Sequence, residues 1–446
     1  MDLRIKNIKL KKFEYLDPGS CFEEYSDYYY SVLLTGRGQE DIARYSVIGL
    51  FPHSIVRYKN NNFSIETEHA SRCIKKPFWE TLNEILNNTD FDRYDYPVKL
   101  CGGIGYLSYE ALHEIEKIDK SIADSYSLPV LEWVFYNIYF LFDHRQKEAY
   151  KIEINYFHDT KIVKKNRQTE GFSVKNISAE CSRAEYVKKV IKIRDYILEG
   201  DVYEVNLTHQ ISGDFSGNAY SLFKKLYAIN DAPFSAFLNF GQVKIVSNSP
   251  ELFLRCFDRK VETRPIKGTI ARGKNQKEDR ENIAKLLNSE KEQAELFMII
   301  DLLRNDLGKV CKFGTVKVEE AKRLEAYKNV YHLVGIIGGI LKKEVSYFDL
   351  LKATFPGGSI TGCPKIRCVE IIDELETFSR NLYTGTIFIM NKSYFCSSIV
   401  IRTSIIKDNK IFINSGGAVT IDSDPEGEYE ETVHKVKNIM ESLEQQ

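Results

Sequence analysis

One lysine lies in a segment that restricts the backbone around it. Lys267 belongs to the segment RPIKGT, residues 264–269. A proline holds the residue before it extended and Gly268 permits a tight turn, so the segment can present an amine to a pocket with little conformational freedom. An attacking amine must be neutral, which requires the pKa of Lys267 to fall by about 3 units from ~10.4. Arg264 and Arg272 would contribute by like-charge repulsion if they point the same way; the alternative is an ordinary solvated lysine.

Two pairs of glutamates have the spacing that places both carboxylates on one face of a helix. The pairs are Glu292 with Glu295 and Glu428 with Glu431. If the pairs converge, four carboxylates repel one another unless a hard divalent cation such as Mg²⁺ binds between them. Mg²⁺ usually keeps several waters, so we expect one glutamate of each pair in direct contact. Both pairs also have a structural interpretation, because Ser289 precedes a capping box and an acid at 428 suits the helix dipole.

Glycine-rich segments and two cations supply candidate anion sites. The segment FPGGSITGCPK (355–365) lacks phosphate-loop spacing, because Cys-Pro precedes its lysine, and it fits an anion cradle or a tight turn equally well. Gly416 and Gly417 follow a strand-like run, where their N–H groups could bind a carboxylate. Arg402 by bidentate pairing and Lys435 as a point charge are candidate carboxylate clamps, although each alone is more often a structural or solvated charge.

Composition excludes several classes of protein. A chain of 446 residues favours roughly two to three domains with ample material for a core. Its 62 basic and 63 acidic side chains nearly cancel, so no net field indicates a nucleic-acid or membrane partner. Nine scattered cysteines without a CxxC pair indicate reduced thiols and a cytoplasmic protein. The charged N-terminus is not that of a signal peptide, and the apolar runs are too short to span a bilayer.

Secondary-structure signals change along the chain. The first 160 residues are rich in Tyr, Phe and turn residues, which predicts strands with a few helices. The polar segment 157–181 is the predicted linker, and it separates an N-terminal region, residues 1–180, from a C-terminal region, residues 181–446. Strands mixed with helices that do not alternate regularly predict an α+β fold.

The C-terminal region has the clearest periodicity. We predict strands at 235–239 and 244–247, and three strand-like runs between 382 and 421 that form an antiparallel meander. Helical spacing of apolar residues predicts the buried faces of a helix that stops at Gly200, of the segment 276–307 and of a closing helix. The predicted buried residues are, in that order, Val187, Val190, Ile191 and Ile197; Ile283, Leu286, Leu287, Ala294, Phe297, Met298 and Leu302; and Val433, Val436, Ile439, Met440 and Leu443.

Taken together, these motifs resemble the chorismate-utilising enzymes, a family that includes anthranilate synthase component I, aminodeoxychorismate synthase component I and the isochorismate and salicylate synthases. The resemblance implies a two-lobed antiparallel β-sandwich with helices packed outside. A weaker match in the N-terminal half includes LLTG, ARYSVIG and GGIGYLSYE. Matching stretches in the C-terminal half are GDVYEVNL, APFSAF, SPELF, RPIKGTIARG, EQAELFMIIDLLRNDLGKV, HLVG, FPGGSITGCPK, IRT and SGGAVTIDSDPEGEYEETVHK.

Within this family, Lys267 resembles the aminodeoxychorismate synthases, because anthranilate synthases typically carry Ala there. The resemblance implies amination of chorismate at C4 with ammonia, in which Lys267 attacks C2 and Glu251 protonates the departing C4 hydroxyl. Anthranilate or isochorismate synthesis, and a degenerate homologue that only binds, remain alternatives. The chain lacks a G-x-C-x-G amidotransferase motif, so ammonia would come from a separate glutamine amidotransferase subunit or from solution.

The resemblance also implies roles for individual residues. Glu295 and Glu431 would bind Mg²⁺, with Glu292 and Glu428 in support. The implied substrate-binding residues are Arg402, Lys435, Gly416, Gly417, His332, Thr361, Tyr383 and Thr269. A tryptophan site is implied at Leu34 and Thr35 of the N-terminal region together with Pro233.

Four residues depart from the family's pattern. Cys363 stands where Ala is usual, Ala418 and Phe388 replace glycines, and Glu204 replaces a glutamine. None of them removes a catalytic group. The last three are expected to reshape the wall of the pocket.

Overall fold

The fold is a large antiparallel sheet with helices around it. The computed structural model describes residues 3–118, 122, 126–158, 160–165 and 170–444. Within these ranges the strands are β1 (Ile5–Phe13), β2 (Val32–Thr35), β3 (Tyr45–Lys59), β4 (Asn62–Glu66), β5 (Ser71–Ile74), β6 (Gly103–Leu107), β7 (Leu131–Asp143), β8 (Glu148–Tyr156), β9 (Phe172–Ala179), β10 (Glu204–Gly217), β11 (Phe234–Phe240), β12 (Val243–Ser249), β13 (Leu252–Phe257), β14 (Lys260–Arg264), β15 (Ile266–Ala271), β16 (Lys317–Ala326), β17 (Val330–Ile340), β18 (Gly362–Cys363), β19 (Thr386–Met390), β20 (Tyr394–Ile399), β21 (Thr403–Lys407) and β22 (Lys410–Val419). The helices are α1 (Pro18–Phe22), α2 (Phe78–Asn87), α3 (Arg183–Leu198), α4 (Ala219–Ile229), α5 (Gln276–Leu287), α6 (Glu290–Val310), α7 (Tyr347–Thr354), α8 (Lys365–Leu375) and α9 (Pro425–Glu444).

The pairing of the strands confirms the predicted α+β class. Every ladder between the named strands is antiparallel, including the predicted pair β11 and β12. Strands from the two halves of the chain also pair with each other: β2 with β11, and β6 with β19. The division of the chain at residue 180 stays a prediction.

A shared core joins the two halves and supports the helices. The Trp133 ring of β7 lies 5.2 Å from the Phe348 ring of α7 and 6.2 Å from the Phe388 ring of β19. On one side of the sheet α6 packs against β15, β16 and β17, and elsewhere α9 packs against β22 and α3. The first turns of α6 and α9, which carry the paired glutamates, are thereby fixed against the sheet.

The predicted helix faces are partly wrong. Ile191 in α3 and Phe297 in α6 are exposed by 47% and 41%, and Val433 in α9 by 41%. Apolar residues surround more than one side of each helix, so spacing alone does not select the stripe that the sheet covers. The buried residues that define the true faces are Tyr186, Val190 and Ile193 in α3; Leu286 in α5; Leu296, Ile299, Ile300, Leu303, Leu307 and Val310 in α6; and Val436, Ile439 and Leu443 in α9.

One predicted strand is divided in the structure, and another is confirmed. The run SSIVIRTSII, predicted as one strand, divides into β20 and β21, which pair with different neighbours. It breaks where Arg402 adopts a φ of 50°, a left-handed conformation that a continuous strand does not contain. The third predicted run, KIFINSGGAV, is confirmed as β22, so Gly416 and Gly417 lie inside this strand, opposite Thr208 and Leu207, and do not follow it.

The predicted linker contains a strand. Within the segment 157–181, β9 pairs with β10. Most side chains of β9 are exposed, so the segment lacks the apolar alternation that identifies a half-buried strand. Residues 159 and 166–169 of the predicted linker lie outside the described part of the chain.

Candidate active site

A bulge in β15 turns Lys267 into the protein. The register between β15 and β17 shifts at Gly268, whose φ is 73°. A Cβ atom at Gly268 would lie 2.9 Å from Leu286 Cδ1 and 3.1 Å from Glu292 Oε2. Glycine is therefore required both for the backbone conformation and for the close approach of α5 and α6. Lys267 is 8% exposed.

Two carboxylates hold the Lys267 amine. Its Nζ donates a 2.8 Å hydrogen bond to Glu204 Oε1 and lies 3.6 Å from Glu295 Oε2. Burial lowers the pKa of Lys267, but the Glu204 and Glu295 carboxylates outweigh it and hold the pKa above its ordinary value. The predicted fall in this pKa is therefore wrong for the site as it stands in this structure.

The two arginines expected to depress that pKa face other partners. Arg264 pairs with Glu262 at 2.5 Å and Asp41 at 2.8 Å. Arg272 pairs with Asp279 at 2.9 Å. Each guanidinium is neutralised by its own carboxylates, so like-charge repulsion on the lysine from either one is not available.

Glu251 is a buried carboxyl group that accepts a hydrogen bond from a serine. It is 5% exposed, and Ser359 Oγ donates to its Oε1 at 2.6 Å. Burial raises the pKa of Glu251 to about 7, although Ser359 and Lys267 both act to lower it. A carboxyl group that titrates near neutral pH can donate a proton as a general acid and take one back as a base.

The structure brings the two glutamate pairs together. Lys291 Nζ lies 3.9 Å from Glu295 Oε1 on its own helix and 3.7 Å from Glu428 Oε1 on α9. Gly417 of β22 forms the floor beneath the second pair. A Cβ atom there would lie 3.2 Å from Glu428 Oε2 and 3.8 Å from Glu431 Oε1. Lys291 therefore bridges the N-terminal parts of α6 and α9, and the second pair lies over β22.

The electrostatics of the four glutamates suit a divalent cation. Burial raises the pKa of Glu292, Glu295 and Glu428, to about 7 for Glu295. Burial acts in the same direction at Glu431, but Lys435 outweighs it and lowers the pKa of that carboxyl group. Glu295 Oε1 and Glu428 Oε2 are buried without a hydrogen-bond partner, which is costly for a carboxylate oxygen.

These oxygens are the hard ligands that Mg²⁺ prefers. In the described part of the chain, no three acidic, histidine or cysteine side chains are grouped as ligands of one ion. Binding by all four glutamates would therefore require rotations of their side chains. The residues fit the cation in chemistry and charge.

The structural interpretations of these glutamates hold only in part. Ser289 Oγ accepts the hydrogen bond from the Glu292 backbone N–H at 3.3 Å, but the Glu292 side chain approaches Gly268 instead of closing a capping box. On α9, Glu428 Oε1 accepts from Ser423 Oγ at 2.6 Å and is nearly buried. The Glu292 and Glu428 carboxylates are therefore directed into the site and do not act only as caps of their own helices.

Arg402 and Lys435 differ in how they are engaged. Among the described residues, the Arg402 guanidinium has no hydrogen-bond or ion-pair partner. Burial lowers its pKa, while the nearby Glu251 acts to raise it. Lys435 Nζ lies 2.7 Å from Glu431 Oε1 and donates to Gly416 O at 2.9 Å. Arg402 is thus the cation with free donors for an incoming anion.

Of the remaining predicted substrate residues, His332, Tyr383 and Thr361 are buried, whereas Thr269 is exposed. Thr269 Oγ1 and His332 Nδ1 are 2.8 Å apart. Burial and the neighbouring Arg402 lower the pKa of His332 to about 3, so this imidazole is neutral at physiological pH. Burial raises the pKa of Tyr383 to about 12. Thr361 Oγ1 donates to Gly357 O at 2.8 Å, so its hydroxyl proton is already used in a hydrogen bond to the backbone.

A cavity of about 860 Å³ lies apart from Lys267 and from the glutamates of α6 and α9. Leu34, Thr35 and Pro233 all line it, as does Phe388. Thr35 Oγ1 accepts a hydrogen bond from Ser46 Oγ at 2.7 Å. The structure therefore groups the three predicted residues around one cavity, and tryptophan as its ligand stays a prediction.

Sequence reasoning missed three contacts in the site. Glu204 was recognised only as an unusual residue, and its pairing with Lys267 joins positions 63 residues apart. Ser359 lies within a motif considered for anions, and Lys291 lies between two glutamates of interest. No spacing rule predicts these contacts, because each connects different elements of the fold.

Comparison with known proteins gives consistent matches. The model of the chorismate binding enzyme family matches residues 36–441. Aminodeoxychorismate synthase component 1 of Escherichia coli (strain K12) is 33% identical over 93% of this chain and 93% of its own length. Anthranilate synthase component 1 of Acetivibrio thermocellus is 31% identical over 96% of this chain and 93% of its own length.

A solved structure agrees with these matches. Anthranilate synthase component I from Streptococcus pneumoniae TIGR4 superposes with a TM-score of 0.78 and 26% sequence identity, covering 89% of this chain and 92% of that one. Proteins with both names therefore match at similar identity. Over the described ranges, no helix combines the length and apolar character needed to cross a membrane.

Proposed function

Because the chain belongs to the chorismate-binding enzymes, of the anthranilate and aminodeoxychorismate synthase type, we propose that it aminates chorismate at C4 to give 4-amino-4-deoxychorismate. The observation that carries this proposal is the buried amine of Lys267, which lies beside the glutamate cluster. Glu251, the second group that the reaction requires, has a pKa near the working pH of a cytoplasmic enzyme.

The proposed reaction divides one difficult substitution into two steps. Lys267 Nζ forms a bond to C2 of the ring, both ring double bonds shift, and the C4–O bond breaks. Glu251 gives its proton to the departing hydroxyl, which leaves as water. Ammonia then bonds to C4, the double bonds shift back, and the Lys267 amine leaves C2. The pyruvyl ether is retained throughout.

Lys267 must lose a proton before it attacks. Two carboxylates, Glu204 and Glu295, now hold its pKa above the ordinary value. If Glu295 turns toward a cation together with Glu431, one of these two carboxylates no longer stabilises the ammonium. Glu292 and Glu428 would support the same ion. A bound Mg²⁺ would supply positive charge that fixes the ring carboxylate of the substrate and relieves the repulsion within the cluster.

The cationic side of the site suits the second carboxylate of chorismate. Arg402 has free donors for a bidentate contact, and Lys435 adds a point charge beside Gly416. Gly417 leaves room above β22, because any side chain there would contact the glutamates. Neutral His332, held by Thr269, can donate or accept one hydrogen bond near the ring without adding charge.

A separate subunit would supply the ammonia. The relatives are named as component 1, which implies a second component in those enzymes. We infer that this chain works in the cytoplasm with a glutamine amidotransferase subunit, and that high ammonium replaces that subunit in vitro. Comparing glutamine with ammonium, with and without a candidate amidotransferase, tests this part separately.

The direct test is product identity. Purified protein with chorismate, Mg²⁺ and ammonium should form a compound that aminodeoxychorismate lyase converts to 4-aminobenzoate. Lys267→Ala should abolish this turnover, whereas Lys277→Ala, at an exposed lysine of α5, should not change it. Mass spectrometry after rapid quenching should find a chorismate-derived adduct on Lys267 of the wild type.

Anthranilate synthesis is the second candidate, because relatives of that name match at 30–34% identity. The same assay distinguishes the two reactions, since anthranilate forms without a lyase and is fluorescent. Anthranilate as the main product would overturn the proposal. Isochorismate formed without ammonium would overturn it as well.

A further inference from the structure

Glu204 is the closest partner of the Lys267 amine. Its Oε1 accepts the 2.8 Å hydrogen bond from Lys267 Nζ, while Glu295 Oε2 lies 0.8 Å further away, at 3.6 Å from the same nitrogen. The Glu204 side chain is fully buried, and its Oε2 has no hydrogen-bond partner. Burying a carboxylate with one oxygen unpaired is unfavourable, and the contact with the lysine offsets part of that cost.

The backbone around Glu204 is held on both sides. Glu204 begins β10 and pairs with Cys363 of β18. Its carbonyl oxygen accepts from Cys368 Sγ at 3.1 Å. A Cβ atom at Gly362 would lie 2.0 Å from the same oxygen, so only glycine allows this approach. The carboxylate therefore projects from a fixed point, and a hydrogen bond to it fixes the position of the amine.

We propose that Glu204 is a positioning residue that keeps Lys267 aligned for attack when Glu295 is engaged elsewhere. This inference rests on the proposed function, in which Lys267 is the nucleophile. The two carboxylates around the amine then have different tasks. Glu295 belongs to the cluster on α6 and α9, whereas Glu204 lies on β10, where its hydrogen bond goes to the lysine and its charge repels Glu295.

Loss of Glu204 would change where the amine points. Without Glu204, the nearest carboxylate to the Lys267 amine would be Glu295. A buried ammonium is stabilised by pairing with the closest negative charge. The amine would then move toward α6 and compete there for the same carboxylate oxygens. Substrate binding relies on other groups, chiefly Arg402 and Lys435, so it should be affected less than the chemical step.

Kinetic variants provide the first test. Glu204→Ala should lower kcat by about 100-fold, the scale expected for a misplaced reacting group, with the KM for chorismate changed by less than about threefold. Glu204→Gln keeps an oxygen acceptor of the same length and should recover much of that loss. Glu132→Gln is the matched control, because it makes the same change at a buried glutamate paired with Arg57, far along the chain from Lys267.

A thermodynamic cycle in metal-free protein provides the second test. Glu204→Gln and Lys267→Met each leave one buried charge without its partner, and the double variant removes both charges at nearly constant volume. Each single variant should lower the melting temperature. The melting temperature of the double variant should fall by clearly less than the sum of the two single shifts. All three variants preserve side-chain size, so the cycle remains informative if Glu204→Ala does not fold.

The outcomes separate the two proposals. Additive melting shifts, or a kcat of Glu204→Ala within twofold of the wild type, would overturn the positioning role. A rise in KM with unchanged kcat would overturn it as well. An anthranilate product from the wild type would instead refute the proposed function, and the melting cycle would still decide whether Glu204 and Lys267 are coupled.

Discussion

Replacing Glu251 by Gln should remove turnover and yet stabilise the protein at alkaline pH. In the unfolded chain this carboxyl group ionises near its usual pKa of 4.5, whereas burial raises its pKa in the fold to about 7. As pH rises between these values, the unfolded state loses its proton first and is stabilised relative to the fold. The resulting penalty grows by about 2.5 kcal/mol between pH 5 and pH 8 and is complete above pH 7.

Glutamine cannot ionise, and its oxygen can still accept the hydrogen bond from Ser359. The free energy of unfolding of Glu251→Gln, relative to the wild type, should therefore rise by about 2.5 kcal/mol from pH 5 to pH 8. Urea denaturation of metal-free protein at both pH values measures this difference. Glu281→Gln, at an exposed glutamate of α5, is the control and should track the wild type. Parallel stabilities of Glu251→Gln and wild type across this range would refute the reasoning.

Two further predictions concern the ligands of the site. Mg²⁺ at about 100 times its Kd should raise the free energy of unfolding of the wild type by about 2.7 kcal/mol. Glu295→Gln should remove most of that gain, as measured by thermal melting. An equal gain in the variant would argue against metal ligation by Glu295. Arg402→Met should raise the KM for chorismate by about tenfold or more with a smaller effect on kcat, because a desolvated guanidinium–carboxylate contact contributes about 1.5–3 kcal/mol to binding. Steady-state kinetics measures both constants, and an unchanged KM would exclude the contact.

The sequence was sufficient where the signal is local. Two neighbouring strand-like segments, 235–239 and 244–247, predicted the antiparallel pair of β11 and β12. Irregular mixing of strands and helices predicted the α+β class, which the antiparallel ladders confirm. The spacing of each glutamate pair correctly placed both members of a pair on one helix, α6 or α9.

The sequence was insufficient where the burial of a residue depends on which element packs against its helix or strand. Phe297 is apolar and lies at helical spacing, yet the sheet covers the neighbouring stripe that contains Leu296 and Ile300. Gly416 and Gly417 were expected to follow a strand with N–H groups free for an anion, but they lie within β22 and pair with β10. Only the three-dimensional arrangement identifies which side of an element meets another.

The charge state of Lys267 shows the same limitation at the level of chemistry. Neighbours in sequence, Arg264 and Arg272, were expected to lower its pKa, and both pair with acids elsewhere. The groups that determine this pKa are Glu204 and Glu295, which come from β10 and α6. Spatial contacts between distant elements therefore decided the sign of the shift.

This arrangement couples the nucleophile to the acidic cluster. Glu295 contacts the Lys267 amine through one oxygen, while its other oxygen is buried without a hydrogen bond beside Lys291. Under the proposed function, the same carboxylate cannot stabilise the lysine ammonium fully and bind a cation at the same time. Binding of the cation would therefore lower the pKa of Lys267, and the amine would become reactive only when the group that fixes the substrate is also in place. This coupling explains why a lysine with a raised pKa is compatible with covalent catalysis.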